Sequence, residues 1–332
     1  MSLDQITFTP AIPLSITPPW LFPSVSVDLY FLDKGQAFKH NNNVAGMVED
    51  RLETTYLSFI PAFTDGSKDP ETGRTGFAVT IPSLRYEVKK RTSEHLSVYT
   101  VETWAILTAL QWVEEVRVEK VIVCSDSSST LSSLQSFTSH SRQDLINEIY
   151  ETLFCLKNMG IVVAFMWVPA HRGVQGNERA DTLAKQALER QHKMDILHSK
   201  AEVKTIIKRN IIKEWQHSWD VGETGRHLYA VQREVGKGRP ARRSTAEENI
   251  VTRLRIGHTR LNKTMHLVNK HPTGRCEHCQ VPESVEHIIF HCQKYTLERH
   301  MLKRKLGVEE LNLTDALKLG AGQVLHRVSA GP

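Results

Sequence analysis

The sequence predicts an α/β protein whose mixed β-sheet carries helices on both faces. From residue 56 onward, the apolar segments follow one another in the order β-β-β-α-β-α-α-β-loop-α. Three strands in direct succession predict an antiparallel meander, whereas strands separated by helices require crossover connections and predict a mixed sheet. Of the 332 residues, 40% are hydrophobic and 24% are charged, which is typical of globular proteins and excludes a disordered or collagen-like chain.

The first part of this pattern consists of strands that end in turn residues. Residues 56–63 form a short apolar segment closed by Asp65-Gly66, and residues 75–81 and 84–98 predict the second and third strands. Apolar side chains then recur at helical spacing over residues 100–116, with Thr100 as the candidate N-cap. The remaining elements are a strand, two helices, a strand, a loop and a helix over residues 120–124, 127–134, 144–159, 161–168, 169–176 and 177–191.

Four regions are expected along the chain. Residues 1–54 hold five of the 13 prolines and predict an irregular arm, and residues 55–192 form the α/β domain. Residues 193–250 contain a strongly amphipathic helix over 202–219 and a Gly- and Arg-rich linker over 235–246. Residues 251–332 form a basic, mostly helical C-terminal region.

Charge is distributed unevenly along the chain. Residues 1–190 hold 17 Lys and Arg against 22 Asp and Glu, a net charge of −5, whereas residues 191–332 hold 25 against 15, a net charge of +10. A basic C-terminal half indicates an anionic partner such as nucleic acid, although a solvated basic surface explains the charge equally well. The longest apolar run, residues 161–170, is too short to cross a membrane, and an odd number of cysteines fits a reducing compartment. We therefore expect an intracellular protein that does not enter a membrane, with nucleus and cytoplasm equally open.

Four acidic residues lie where a folded domain seldom places them. Asp65 and Asp126 end predicted strands, Glu102 lies on the apolar side of the first helix, and Asp181 is one turn into the last helix of the domain. If the first and fourth strands are neighbours, Asp65 and Asp126 emerge side by side. Converging carboxylates repel one another unless divalent cations neutralise them, and hard oxygen ligands favour Mg²⁺ or Mn²⁺. Taken singly, each acid also fits a turn, a helix cap or a solvated position.

These residues and their surroundings resemble the type 1 ribonuclease H domain over about residues 55–192. The resemblance is carried by the sequences around Asp65, Glu102 and Asp126, and by the segment from Trp167 through His171 to Asp181. It implies the ribonuclease H-like fold, with five strands, three antiparallel and then two parallel. It also implies hydrolysis of the RNA strand of an RNA–DNA hybrid with two Mg²⁺ or Mn²⁺ ions.

The resemblance assigns roles to individual residues. Asp65 would contact both ions, Asp181 would complete one site, and Glu102 with Asp126 would complete the other. His171 would assist proton transfer. Without the resemblance, a single histidine in a loop is most often only a solvent-exposed residue. The resemblance and position imply that substrate contacts come from Gly66, Ser67 and Asn177.

Two departures from the family pattern concern substrate binding. Cellular enzymes of the family often carry asparagine ahead of the helix glutamate, where this chain has Val98 and Tyr99. Between residues 127 and 159 only Arg142 and Lys157 are basic, so the basic handle of some cellular enzymes is missing. Binding of the hybrid would then need help from elsewhere in the chain.

A second cluster of chemically distinctive residues lies in the C-terminal region. Cys276, Cys279, His287 and Cys292 have the spacing C-x2-C-x7-H-x4-C, which suits a tetrahedral zinc ion. His291 is the alternative fourth ligand, and a chance cluster without metal is the remaining alternative. Such a knuckle with basic neighbours is typical of proteins that bind single-stranded nucleic acid. The other two cysteines, Cys124 and Cys155, fit ordinary core positions.

Residues 252–261, followed by this cluster, resemble the C-terminal tail of non-LTR retrotransposon polyproteins, where a ribonuclease H domain follows a reverse transcriptase. The leading hypothesis is therefore a retrotransposon-derived ribonuclease H with a zinc-knuckle-like tail. One rival hypothesis is a catalytically idle relic that binds nucleic acid through its C-terminal region. Another is a structural partner that packs on a separate reverse transcriptase through residues 202–219.

Overall fold

The computed structural model describes residues 17–33, 43–236 and 245–318. The chain divides into two compact units, Met1–Ile207 and Lys208–Pro332. The first unit thus continues beyond residue 192, where the sequence predicts the α/β domain to end. Among the described residues, none of the helices combines the length and apolarity that crossing a bilayer requires.

A seven-stranded mixed sheet forms the centre of the first unit. Its spatial order is β1-β6-β5-β2-β3-β4-β7. The strands are β1 Val27–Asp28, β2 Ile60–Lys68, β3 Thr75–Ile81, β4 Tyr86–Thr92, β5 Lys120–Ser125, β6 Val162–Trp167 and β7 Lys193–Met194. Strands β2, β3 and β4 pair antiparallel, and β5 and β6 continue the sheet in parallel. The five predicted strands and their pairing are confirmed, and β1 and β7 add a two-residue strand at each edge.

Helices cover both faces of this sheet. The helices of the first unit are α1 Tyr30–Asp33, α2 Val44–Thr54, α3 Val98–Val116, α4 Ser128–Ser136, α5 Gln143–Asn158, α6 Gln175–Ala187 and the start of α7 Lys200–Val221. Side chains alternate between the faces along each strand: Val121 and Val123 of β5 join the cluster that contains Leu107 of α3, whereas Ile122 joins the cluster that contains Val48 of α2. The sheet therefore has a buried apolar layer on each side.

The segment before the first long strand is regular where it is described. Strand β1 pairs with β6, and α2 lies over the sheet, with Val48 fully buried. The expectation of an irregular arm is therefore wrong for these residues. The prolines that suggested it lie in residues 10–23, and residues 1–16 are outside the described part of the chain.

Helix α3 begins earlier than the sequence predicts. Strand β4 ends at Thr92, and Ser97 is the N-cap of α3 because its side chain accepts a hydrogen bond from the backbone N–H of Thr100. The expectation that Thr100 caps the helix and that the third strand reaches Val98 is therefore wrong. Glu102 consequently lies in the second turn of the helix, on its buried side.

A buried charged cluster holds the N-terminus of α3. The Glu202 carboxylate, on α7, accepts hydrogen bonds from the Ser97 N–H at 2.6 Å, the Thr100 hydroxyl at 2.7 Å and the Ser199 N–H at 2.8 Å. The Arg142 guanidinium lies 3.8 Å from Glu202 and 2.7 Å from Asp144. Burial raises the pKa of Glu202, but these hydrogen bonds and the Arg142 charge outweigh it and hold that pKa below its usual value.

The second unit is small and helical. It contains most of α7, then α8 Arg226–Val231, α9 Thr245–Ile256, α10 Asn262–Leu267, a single π-helical turn His287–His291, α11 Thr296–Leu306 and α12 Leu313–Lys318. Its core includes Val251 and Leu254 of α9, Ile289 of the π-helical turn and Leu302 of α11. The predicted linker over 235–246 largely lies outside the described residues, because 237–244 are not described.

We expect Glu202→Gln to lower the free energy of unfolding by about 3 kcal/mol, because Arg142 would lose part of its buried counter-charge and one backbone N–H would lose its acceptor. Urea denaturation followed by circular dichroism measures this change. The control is Glu214→Gln on the exposed side of the same helix, which should unfold like the wild type. Equal stability of all three proteins would contradict the role of Glu202.

The Glu202 contribution should also depend on pH. A carboxyl whose pKa is lowered by folding stabilises the fold fully above its unfolded pKa of about 4.3, and the contribution is lost as the pH falls through the lower folded pKa. The difference in unfolding free energy between the wild type and Glu202→Gln should therefore be constant from about pH 8 to pH 5 and shrink toward pH 3. If this free-energy difference grew as the pH fell, the pKa of Glu202 would not be lowered by folding.

Candidate functional site

Asp65 and Asp126 meet at one end of the sheet because their strands are parallel neighbours. In the register of β2 and β5, Thr64 pairs with Ser125, so the next residue of each chain segment is an aspartate. Their adjacency, predicted from the strand ends, is confirmed. Asp65 is only 6% exposed, and Asp126 is half-buried.

Glu102 joins the two aspartates from helix α3. A ligand atom from each of Asp65, Glu102 and Asp126 lies within 4.8 Å of the other two. Helix α3 approaches β2 this closely at Gly66, where an added Cβ would lie 2.7 Å from the backbone nitrogen of Glu102. Only glycine therefore allows β2 and α3 to hold Asp65 and Glu102 side by side.

Crowding and burial disfavour the ionised forms of these acids. Burial, and then the charges of Asp126 and Asp181, raise the pKa of Asp65 to about 7. Burial and the charges of Asp65 and Asp126 likewise place the pKa of Glu102 well above its usual range, although a hydrogen bond from the backbone of Gly66 opposes the shift. The site therefore attracts protons or cations.

Asp181 lies beside this trio, on α6. Its Oδ2 atom accepts a hydrogen bond from the Lys185 ammonium at 2.7 Å and lies 4.0 Å from Nδ1 of His171. His171 is largely exposed on the loop before α6, in a left-handed backbone conformation. Glu178 accepts a hydrogen bond from the backbone N–H of Gly173, which ties this loop to the helix that carries Asp181.

Asn177 is placed behind the acids rather than on the surface. It is 2% exposed, and its side-chain amide donates a hydrogen bond to Oδ2 of Asp126 at 3.1 Å. This contact lowers the pKa of Asp126, although burial raises that pKa overall. Asn177 therefore orients a carboxylate of the site. Gly66 and Ser67, the other predicted substrate contacts, are half-buried on β2.

The donor set fits hard divalent cations. The Oε2 atom of Glu102 is buried and has no hydrogen-bond partner in the structure. An unpartnered buried carboxylate oxygen that faces two other carboxylates is unfavourable on its own, and oxygen ligands of this type suit Mg²⁺ or Mn²⁺. Asp65, Glu102, Asp126 and Asp181 are thus the residues that could hold such ions.

The two basic residues between 127 and 159, Arg142 and Lys157, differ in their exposure. Arg142 is 2% exposed and is bound by Asp144, so it cannot contact a substrate. Lys157 lies exposed near the C-terminal end of α5. Two residues that support the site were not predicted from the sequence. Glu202 binds Ser97 and Thr100, which are more than 100 residues away, whereas the i,i+4 spacing of Lys185 from Asp181 was a detectable pattern.

The second unit brings together the four predicted cysteine and histidine ligands. One ligand atom from each of Cys276, Cys279, His287 and Cys292 lies within 4.8 Å of the others. The sulfur of Cys292 lies 3.9 Å from that of Cys276 and 3.8 Å from that of Cys279. Zinc–sulfur bonds of about 2.3 Å in a tetrahedron place two sulfurs about 3.8 Å apart, so this spacing fits a tetrahedral site.

The structure distinguishes between the two candidates for the fourth ligand. Cys292 is fully buried within the cluster, whereas His291 is exposed. The Nε2 atom of His287 is buried and lacks a hydrogen-bond partner, as a metal ligand would in the absence of the ion.

The other two cysteines were both expected in the core. Cys155 is exposed, and Cys124 is buried as expected.

A comparison with protein families matches residues 59–189 to the family model of RNase H. The match covers less than half of the chain but includes every acidic residue of the site. The first unit thus contains an RNase H domain, and its mixed sheet with flanking helices has the ribonuclease H-like fold that the sequence predicts.

We expect Asp65→Asn to stabilise the metal-free protein by about 1–2 kcal/mol at pH 8, because it removes one of several buried and mutually repelling carboxylates. Thermal unfolding in the presence of a chelator measures the effect. The matched control, Glu189→Gln, alters an exposed carboxylate and should leave the midpoint unchanged. A lower midpoint for Asp65→Asn would show that the acids are not under electrostatic strain.

Proposed function

From the RNase H domain at residues 59–189, we propose that this protein hydrolyses the RNA strand of RNA–DNA hybrids with the help of two divalent metal ions. The observation that carries the proposal is the convergence of Asp65, Glu102 and Asp126 within 4.8 Å, with Asp181 beside them. Asp65, at the centre of the cluster, would contact both ions, Asp181 would hold one, and Glu102 with Asp126 would hold the other. Such ions would supply activation of water and neutralisation of the leaving oxygen.

The remaining residues of the site act on the substrate or on the acids. The exposed imidazole of His171, 4.0 Å from Asp181, would move a proton between solvent and the reacting group. Asn177 fixes the orientation of Asp126, and Gly66 lets α3 approach β2. Backbone groups of Gly66 and Ser67 would contact the 2′-hydroxyls that distinguish RNA from DNA.

We further propose that Cys276, Cys279, His287 and Cys292 bind one zinc ion and that the basic region around them binds nucleic acid. The sulfur–sulfur distances and the unpartnered nitrogen of His287 support this ligand set. A zinc-binding tail after an RNase H domain is also what the resemblance to retrotransposon polyproteins predicts. The proposed origin is therefore a retrotransposon, and a separate reverse transcriptase is a candidate partner.

Purified protein should cleave a labelled RNA–DNA hybrid in the presence of Mg²⁺ or Mn²⁺, and leave double-stranded RNA and double-stranded DNA intact. Asp65→Asn should reduce cleavage at least 1,000-fold (about 4 kcal/mol) while keeping the fold, because an uncharged amide replaces the carboxylate that would contact both ions. Gel analysis of the products measures this. Glu189→Gln, remote from the acids, should cleave like the wild type.

Retained cleavage by Asp65→Asn would reject the two-metal assignment. A hybrid that is bound but not cut by the wild type would instead favour the idle nucleic-acid-binding relic. Binding assays on the same hybrid separate these outcomes.

Elemental analysis should find about one zinc per chain in the wild type, as expected for four soft ligands at tetrahedral spacing. Cys276→Ser should lose the zinc and destabilise the second unit. Cys155→Ser changes an exposed cysteine outside the cluster and should keep the full zinc content. Wild-type protein that is folded throughout but contains no metal would reject the zinc site.

A further inference from the structure

The acidic site includes one positively charged side chain, that of Lys185. Helix α6 places Lys185 one turn after Asp181, and the Lys185 Nζ atom lies 2.7 Å from Oδ2 of Asp181. The Lys185 side chain is 58% exposed, whereas that of Asp181 is 17% exposed. The contact therefore joins a largely exposed ammonium to a mostly buried carboxylate of the site.

The effect of this ammonium reaches beyond Asp181. The positive charge of Lys185 lowers the pKa of Asp65, and so opposes the effect of burial and of the charges of Asp126 and Asp181. Lys185 thus reduces the mutual repulsion of the acids in the absence of a divalent ion.

Lys185 and a divalent ion compete for the same carboxylate group. A divalent ion bound to either oxygen of Asp181 would lie a few ångströms from the Lys185 ammonium, so the two positive charges repel each other and the hydrogen bond to Oδ2 is weakened. Moving the ammonium is easy, because the side chain is long, flexible and largely exposed, and surface ion pairs of this type contribute little to stability.

We propose that Lys185 is a positioning residue that serves as a counter-ion within the site. Its ammonium binds Asp181 in the metal-free protein and is displaced when a divalent cation binds. Lys185 thereby sets the metal affinity of the site. The inference rests on the proposed function, since it requires that the acids bind metal. The Lys185 ammonium weakens metal binding both by competing for Asp181 and by like-charge repulsion. Removing it should increase the affinity about tenfold, as expected when a unit charge a few ångströms from a divalent ion is removed at the partly solvated edge of a site.

The test is a titration of the full chain with Mn²⁺, followed by electron paramagnetic resonance of the free ion, after removal of weakly bound metal. Lys185→Met should bind Mn²⁺ about tenfold more tightly than the wild type, whereas Lys185→Arg, which keeps the charge, should stay within about threefold of it. Lys157→Met removes an exposed lysine on α5 and should match the wild type. Asp65→Asn tests whether Mn²⁺ binds at the acidic site, because this variant should largely lose Mn²⁺ binding.

The possible results separate the inference from the function it rests on. Unchanged or weaker binding in Lys185→Met, with binding lost in Asp65→Asn, would overturn the role of Lys185 and leave the metal site in place. Wild-type affinity in Asp65→Asn, or no binding by any of the proteins, would overturn the acidic metal site and the inference with it. Melting temperatures of the same proteins in chelator and in Mn²⁺ provide a second readout: the increase on adding Mn²⁺ should be larger for Lys185→Met than for the wild type.

Discussion

The first unit has to hold three carboxylates together at one partly buried end of its sheet, where their charges repel one another. Asp65 and Asp126 are neighbours because β2 and β5 pair in parallel, and Glu102 reaches them because β2 has a glycine at the point of contact. Burial and proximity together raise the pKa of Asp65 to about 7. Such an arrangement would spread apart unless the elements that carry it were fixed by contacts elsewhere.

Those fixing contacts lie mostly away from the acids. Strand β2 is central in the sheet and buries apolar residues on both faces, so Asp65 cannot move without disturbing two core layers. The N-terminus of α3 is held by the Glu202 carboxylate and the Ser97 cap, one turn before Glu102. Asn177 holds Asp126 through a hydrogen bond from α6. Each acid is therefore positioned by a separate element.

The sequence was sufficient to predict features that depend on local pattern. The five central strands follow from apolar segments bounded by turns, and the adjacency of Asp65 and Asp126 follows from the rule that parallel strands end at the same edge. Features that depend on distant partners could not be predicted in this way. The sequence identifies Arg142 only as one of two basic residues between 127 and 159. The structure pairs it with Asp144 and Glu202 in the interior, and no spacing in the sequence links residue 142 to residue 202.

The predicted α/β domain, residues 55–192, rests on sequence motifs. The last of those motifs contains Asp181, so the sequence alone gives no sign of residues that pack against the domain beyond its helix. Packing extends further: Ile196 is buried with Phe77 and Leu96, and α2 buries Val48 against the opposite face of the sheet. The RNase H match at 59–189 thus covers the acids but leaves out α2, Ile196 and Glu202. Because these flanking residues cover the sheet and cap the helix of Glu102, the structural unit of the site is the larger one, Met1–Ile207.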